Sequence, residues 1–430
     1  MVALRDKFIR VVLKAFISKA FAGAGVLFLN LILGYYYGAA GVGKFMFMLS
    51  LLAGMSMCTR AGMDNAMVRD LSRYYIDGDM VKFQEGILCA FVWAFLSSVL
   101  LVFAALLIDS MFGRINISSP ILYALPFYSS IYLQSSVLKS IGYVAIAPFF
   151  EIGSAAAFLC VFIVLFHNAG ASGIQYAEWG FLFATIAIFL AGIFFLVRKL
   201  FFVEHNPLSA SIRKVLVLPW VKFNGLGSFF MLSCNAFFLQ WGIILVLSLF
   251  LGQAELGVFS LAHRATLLIS FVLIVLNGVA SPKFSHLFSV RDINGLQHLV
   301  HRIFWIGLFV SFAMYFIAAI GSIYIGRFIP STEGIQYLIL IFGAAQVVNV
   351  VTGPAPFLLM MTGNEMFLNR YVLASSLLLL CFVCYFAKSF GVFGAVLAFS
   401  VVESAKNIGL MISIKKILGL TVFPKWRGVR

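Results

Sequence analysis

Runs of about 20 apolar residues recur along the whole chain, and this recurrence narrows the possible folds more than any other feature. In hydrocarbon a helix satisfies its own backbone hydrogen bonds, so each run reads as a transmembrane helix. Spans are predicted near 12–36, 43–64, 84–108, 119–140, 142–166, 176–198, 222–250, 255–280, 302–326, 334–361, 370–389 and 393–414, twelve in all. Connections are mostly short, and the longer polar ones are 68–85, 199–220 and 281–301. A soluble fold fails on composition, because 63% of the 430 residues are hydrophobic and only 10% charged. One or two globular cores could not bury that surface, and leaving it in water would drive association. The basic start, Arg5, Lys7 and Arg10, precedes an apolar stretch reaching about Tyr37. That stretch is too long for the core of a cleaved signal and reads as the first span.

Lysine and arginine set the orientation. With both ends cytoplasmic, only Lys44, Arg114, Arg327 and Lys388 of the 30 basic residues fall in outer loops. The net charge of +15 is then mostly a topology signal. Basic tails can also touch anionic lipid headgroups, and no soluble basic domain is present to bind nucleic acid. The six cysteines lie almost entirely in apolar runs and read as thiols within helices. Cys381 and Cys384 have CxxC spacing, but no second pair or nearby histidine suggests a metal, and no cofactor is expected.

The two halves echo each other. Gly38-Ala39-Ala40-Gly41-Val42-Gly43-Lys44-Phe45 follows the first span, and Gly252-Gln253-Ala254-Glu255-Leu256-Gly257-Val258-Phe259 follows the seventh. The offset is 214 residues, from 38 to 252. A second echo joins Gly170-Ala171-Ser172-Gly173 to Gly391-Val392-Phe393-Gly394, at an offset of 221. Six helices per repeat is an even number, so the repeats are parallel, a transporter architecture with the substrate site between halves. The expected organisation is a six-helix bundle over 1–200, a cytoplasmic linker over 201–220 carrying Pro207 and Pro219, and a second bundle over 221–430.

Charges inside spans are the strongest functional signal, since a charge in hydrocarbon costs several kcal/mol (about 3 or more) unless it meets water or a partner. Arg264 and His263 lie about nine residues into span eight. Glu403 and Lys406 lie near the middle of span twelve, and Glu151 about nine residues into span five, just after Pro148. Lys19 and Asn30 in span one are eleven residues apart and share a helix face. Arg60 and Asp64, spaced i,i+4, fall at the cytoplasmic end of span two. Plainer readings compete with these. Lys14 and Lys19 can snorkel to the surface, Glu403 and Lys406 can form a structural bridge, and Arg60 and Asp64 can be a surface-level pair. Arg264 is too deep to snorkel easily.

Gly38–Lys44 fits G-x-x-x-x-G-K, but Phe45 stands where a phosphate loop needs Ser or Thr, and a membrane helix precedes it instead of a strand. It reads better as a tight helix–helix turn. The stretch Met360-Met361-Thr362-Gly363-Asn364-Glu365, the following apolar run, and Gly391-Val392-Phe393-Gly394-Ala395-Val396-Leu397-Ala398 resemble the C-terminal half of polysaccharide exporters. So does the segment from Leu251 through Gly252, Gly257 and Phe259 to Arg264. These are similar to the Wzx-type O-antigen flippases of the multidrug/oligosaccharidyl-lipid/polysaccharide (MOP) exporter superfamily. The resemblance extends over nearly the whole chain in length, span count and repeat.

The resemblance implies an all-helical, V-shaped, MATE-like fold and alternating access. It implies passage of an undecaprenyl-diphosphate-linked oligosaccharide from the cytoplasmic to the periplasmic leaflet of a bacterial inner membrane, alongside polysaccharide polymerase machinery. Lys19, Asn30, Arg60, His263, Arg264 and Lys406 are the expected substrate-binding residues, with the basic ones meeting the diphosphate. Asp64, Glu151 and Glu403 are the candidates for coupling to an H⁺ or Na⁺ gradient. Span seven reads Gln240-Trp241-Gly242-Ile243-Ile244, without the acid many family members carry there. A lipid II flippase and a cation-coupled multidrug antiporter of the same superfamily are the competing readings. An enzyme would need a large polar periplasmic loop or an acidic cluster near an interface, and the sequence offers neither.

Overall fold

The computed structural model describes residues 2–112, 119–170, 173–203 and 226–423, and among them every regular element is helical. In chain order the helices are α1 (Val2–Arg60), α2 (Met63–Ile76), α3 (Met80–Phe112), α4 (Pro120–Tyr123), α5 (Leu125–Ser140), α6 (Ile152–Asn168), α7 (Ile174–Val203), α8 (Leu226–Phe237), α9 (Ile243–Leu247), α10 (Gln253–Ser289), α11 (Ile293–Phe328), α12 (Ile335–Thr352), α13 (Pro354–Met361) and α14 (Glu365–Leu418). A π-helical turn, Phe238–Gly242, joins α8 to α9.

Seven of the described helices are long and apolar enough to cross a membrane. Two of them are too long to be one span. The apolar part of α1 has 40 residues and α14 has 54; at 1.5 Å per residue these reach about 60 and 81 Å, against about 30 Å of hydrocarbon. Each is broken by a glycine with positive φ, Gly38 (67°) in α1 and Gly391 (60°) in α14. The expected short loops at both places are therefore sharp kinks, in a conformation that suits glycine. With each kinked helix taken as two spans, the bent α8–α9 pair as one, and the shorter α5 and α6 included, the described residues carry twelve span segments.

By packing, the chain divides into two units: Met1–Ile32 with Phe45–Leu245, and Leu33–Lys44 with Val246–Arg430. The expected seam at 201–220 lies, from residue 204 onward, outside the described residues. In the first unit the core joins Met63, Ala66, Met67 and Leu71 of α2 to Phe83 and Ala90 of α3, Leu133 and Val137 of α5, and Leu196 of α7. In the second, Phe284 of α10, Val300 and Phe304 of α11, Leu358 of α13 and Ile414 of α14 pack together.

The first sequence echo has a structural counterpart inside the second unit. A Cβ on Gly43 would lie 1.8 Å from the Gln253 carbonyl oxygen, and one on Gly257 would lie 1.8 Å from that of Ala39. Gly43 and Gly257 are equivalent at the 214-residue offset, and so are Ala39 and Gln253. The contact is reciprocal, as a local two-fold produces. Glycine is required there because the two backbones touch.

Three expectations are corrected. The connection 68–85 is not a polar loop: it begins as α2, an amphipathic helix whose Met63, Ala66, Met67 and Leu71 face the core. Asp79 then caps α3, accepting from the Lys82 backbone N–H at 3.1 Å and from its ammonium at 2.6 Å. These bonds hold the Asp79 carboxyl below its usual range. Span five starts at Ile152 and not at 142, because Gly142 (φ 86°) and Pro148, in the 3₁₀ turn Ala147–Phe150, interrupt the chain before it. Glu151 is therefore the residue before the first turn of α6 and not nine residues deep. Arg60 and Asp64 are not a surface-level pair, since Arg60 is buried and its carboxylate partner is mostly covered.

Candidate functional site

The first unit builds a polar cluster where α1 gives way to α2. Ala61 (φ 45°) and Gly62 (φ 80°) break the helix, and a Cβ on Gly62 would lie 2.5 Å from the Phe230 backbone nitrogen. Arg60 ends α1 and Asp64 opens α2, so each charge sits at the helix end whose dipole favours it. The guanidinium Nη1 donates to Asp64 Oδ2 at 2.6 Å, and Nε donates to the Ser56 carbonyl at 3.1 Å. The same guanidinium lies 4.1 Å from the centre of the Tyr132 ring. Arg60 is thereby fixed on three sides while only 8% exposed.

Helix α5 supplies the rest of this cluster. Ser129, Tyr132, Ser135 and Lys139 recur at helical spacing and form one polar stripe on a largely buried helix. Ser129 Oγ donates to Ser56 Oγ at 3.0 Å and shares a 2.8 Å bond with Thr59. Ser135 and Lys139 both donate to Glu151 Oε1, at 2.7 and 2.8 Å. Arg60 lies over Tyr132, and Ser135, one turn further on α5, holds Glu151, which brings the Arg60–Asp64 and Lys139–Glu151 pairs to one face of that helix. Asn30, in α1 of the same unit, is buried and donates to the Val26 carbonyl at 2.8 Å, while its Oδ1 has no hydrogen-bond partner among the described residues. The side chain of Lys19 lies outside the described residues.

The second unit carries its polar groups on α10, α12 and α14. His263 is wrapped by Phe259, Phe342 and Phe399, with ring centroids 5.2–6.1 Å away. Arg264 follows it on α10 and is 9% exposed. Lys406 donates to Glu403 at 2.5 Å across one turn of α14. Beside that pair lies a carboxamide chain: Asn407 Nδ2 donates to Asn349 Oδ1 at 3.2 Å, and Asn349 Nδ2 donates to Gln346 Oε1 at 3.2 Å.

The structure thus brings Arg60, Asp64 and Glu151 together in one unit, and Glu403 and Lys406 together in the other, with His263 in an aromatic setting. Sequence reasoning missed Lys139 as the partner of Glu151, because that contact spans a turn. It also missed Glu178, which is 2% exposed in α7, and the Gln346–Asn349–Asn407 chain. Two carboxamides spaced i,i+3 in an apolar run were the available signal for the last. The π-turn carries Gln240 and Trp241 of the acid-free stretch in span seven, and such turns are frequent at functional sites.

No protein-family profile matches the chain, and no curated protein matches it by sequence. Among solved structures it is similar to the lipid II flippase MurJ in an inward closed conformation, with TM-score 0.69, 15% identity, and coverage of 93% of this chain and 87% of that one. It is also similar to a multidrug resistance MATE family transporter of the MOP superfamily in an inward-facing conformation, with TM-score 0.65, 13% identity, and coverage of 93% and 94%. A third is the MATE multidrug transporter DinF-BH, with TM-score 0.59, 17% identity, and coverage of 97% and 96%. With its helices, its repeat and these likenesses over nearly its full length, this chain has the MATE-like, all-helical fold of MOP-superfamily transporters.

Proposed function

We propose that this protein is a flippase that moves an undecaprenyl-diphosphate-linked oligosaccharide, an O-antigen or other surface-polysaccharide unit, to the periplasmic leaflet of a bacterial inner membrane. The observation that carries this reading is a buried arginine in each unit, Arg60 and Arg264, within a largely apolar helical membrane fold. A guanidinium presents a planar fork of donors that fits a phosphate through two parallel bonds. A diphosphate is the part of such a substrate that hydrocarbon excludes most strongly, and it is also the part these residues suit best. The polyprenyl tail stays in lipid while the head group passes.

Arg60 supports a specific coupling step. A diphosphate that takes over the Arg60 donors releases Asp64, which is then available to a proton or Na⁺. Lys139–Glu151 and Lys406–Glu403 are built the same way, with a carboxylate held by a neighbouring ammonium. This favours the reading over a multidrug antiporter. A cationic drug needs an acid ready to receive it, whereas all three expected coupling acids already hold a basic partner.

The test is deletion of the gene followed by analysis of lipid-linked sugars and surface glycan, with the protein and its Arg264→Ala variant restored in turn. Lipid-linked sugar is expected to accumulate in the cytoplasmic leaflet on deletion. Arg264→Ala, at normal protein levels, is expected to lower export at least tenfold, the equivalent of about one charge-assisted hydrogen bond. Normal surface glycan with raised drug sensitivity after deletion would overturn the proposal in favour of the antiporter.

A further inference from the structure

The carboxamide chain on α12 and α14 is open at both ends. Three carboxamides hold three oxygens and three NH₂ groups, and only two donors are used, Asn407 to Asn349 and Asn349 to Gln346. Gln346 Nε2 at one end and Asn407 Oδ1 at the other have no hydrogen-bond partner among the described residues. Both side chains are otherwise buried, Gln346 at 8% and Asn407 at 6% exposed. A pair that merely glued two helices together would close on itself. This chain ends in a donor on α12 and an acceptor on α14.

Depth gives the open ends their meaning. Asn349 lies 14 residues into the 27-residue span Ile335–Met361, and Asn407 lies 16 residues past the Gly391 kink. At 1.5 Å per residue these are about 21 and 24 Å from the same end of their helices, within the hydrocarbon depth. An unpaired carboxamide atom there faces either a wet cavity or a polar ligand, because lipid would leave it unsatisfied. The backing is rigid. One turn before Gln346 is Phe342, and one turn before Glu403 is Phe399, which pack edge to face with each other and with Phe259.

We propose that Gln346, Asn349 and Asn407 form a subsite for the hydroxyl groups of the glycan, next to the Lys406–Glu403 pair. A sugar hydroxyl both donates and accepts, which matches an unpaired amide N–H and an unpaired amide oxygen. The three side chains are neutral, so they have little pull on a diphosphate or a drug cation and select for carbohydrate. This inference rests on the flippase reading and assigns that substrate's sugar to the second unit.

The experiment measures binding of two lipids to the full-length purified protein in nanodiscs: undecaprenyl diphosphate, and the same lipid carrying one N-acetylglucosamine. Asn349→Leu and Asn407→Leu are nearly isosteric and remove the polar atoms. Each is expected to weaken binding of the glycosylated lipid about tenfold and to leave the bare diphosphate within twofold, while the lost interhelical bond lowers the melting temperature by only a few degrees (about 2–4 °C). Loss of both lipids together, or of neither, overturns the subsite. If the leucine variants fail to fold, Asn349→Ser and Asn407→Ser replace them and the same split decides. A wild-type protein that binds bare lipid and glycosylated lipid equally tightly overturns the subsite and leaves the flippase reading standing. A wild-type protein that binds neither overturns both.

Discussion

Arg60 shows how much one side chain can be asked to do in this fold. It holds Asp64, bonds to Ser56 and lies over Tyr132 at once. Lysine keeps the charge but lacks the planar fork and stacks less well. Arg60→Lys is therefore expected to preserve the ion pair and cost about 1–2 kcal/mol through the lost stack and Nε bond. Arg60→Ala leaves a mostly covered carboxylate without its partner and is expected to cost about 2–3 kcal/mol, below the figure for a fully sealed pair because Asp64 keeps some exposure. Melting temperatures of the two purified variants in detergent check the order. If alanine were no worse than lysine, the ion pair would contribute nothing to stability.

At the scale of elements, glycines decide where helices turn and where they touch. Gly38 and Gly391 let long helices kink, each through a positive φ. Gly43 and Gly257 serve contact, since each would drive a Cβ into the opposite backbone. Gly43→Ala and Gly257→Ala are expected to destabilise the protein by about 1–3 kcal/mol each, and by similar amounts because the contact is reciprocal. Gly321→Ala, inside α11 with open space around it, is the control and is expected to be neutral or slightly stabilising. Thermal unfolding of the three variants distinguishes them. Equal melting points for Gly43→Ala and Gly321→Ala would show that the backbones do not meet.

For the whole molecule, the charge distribution makes the next prediction. Only four of the 30 basic residues fall in the expected outer loops, so both ends are expected in the cytoplasm. A fluorescent reporter that matures only in the cytoplasm is expected to shine when fused after Arg430, and alkaline phosphatase at the same place is expected to stay inactive. The reverse result would invert the orientation and, with it, the direction in which substrate enters.

The helical membrane class was legible in the sequence because hydrocarbon imposes it locally. Each apolar run must satisfy its own backbone, and the positions of Gly38 and Gly391 mark where the runs are divided. The identity of the charged residues within spans was legible for the same reason, since Arg60, Arg264 and Glu403 stand out against apolar neighbours. Their surroundings were not. Lys139 meets Glu151 across a turn that Pro148 and Gly142 create, and Asn407 meets Asn349 across 58 residues. Arg60 looked like a surface residue until α2 and α5 closed around the end of α1. The sequence by itself thus determined an all-helical multi-pass membrane protein, because burial in lipid is a property of each segment. Only the tertiary structure decided which polar groups meet, because hydrogen bonds depend on distances between segments that no local pattern encodes.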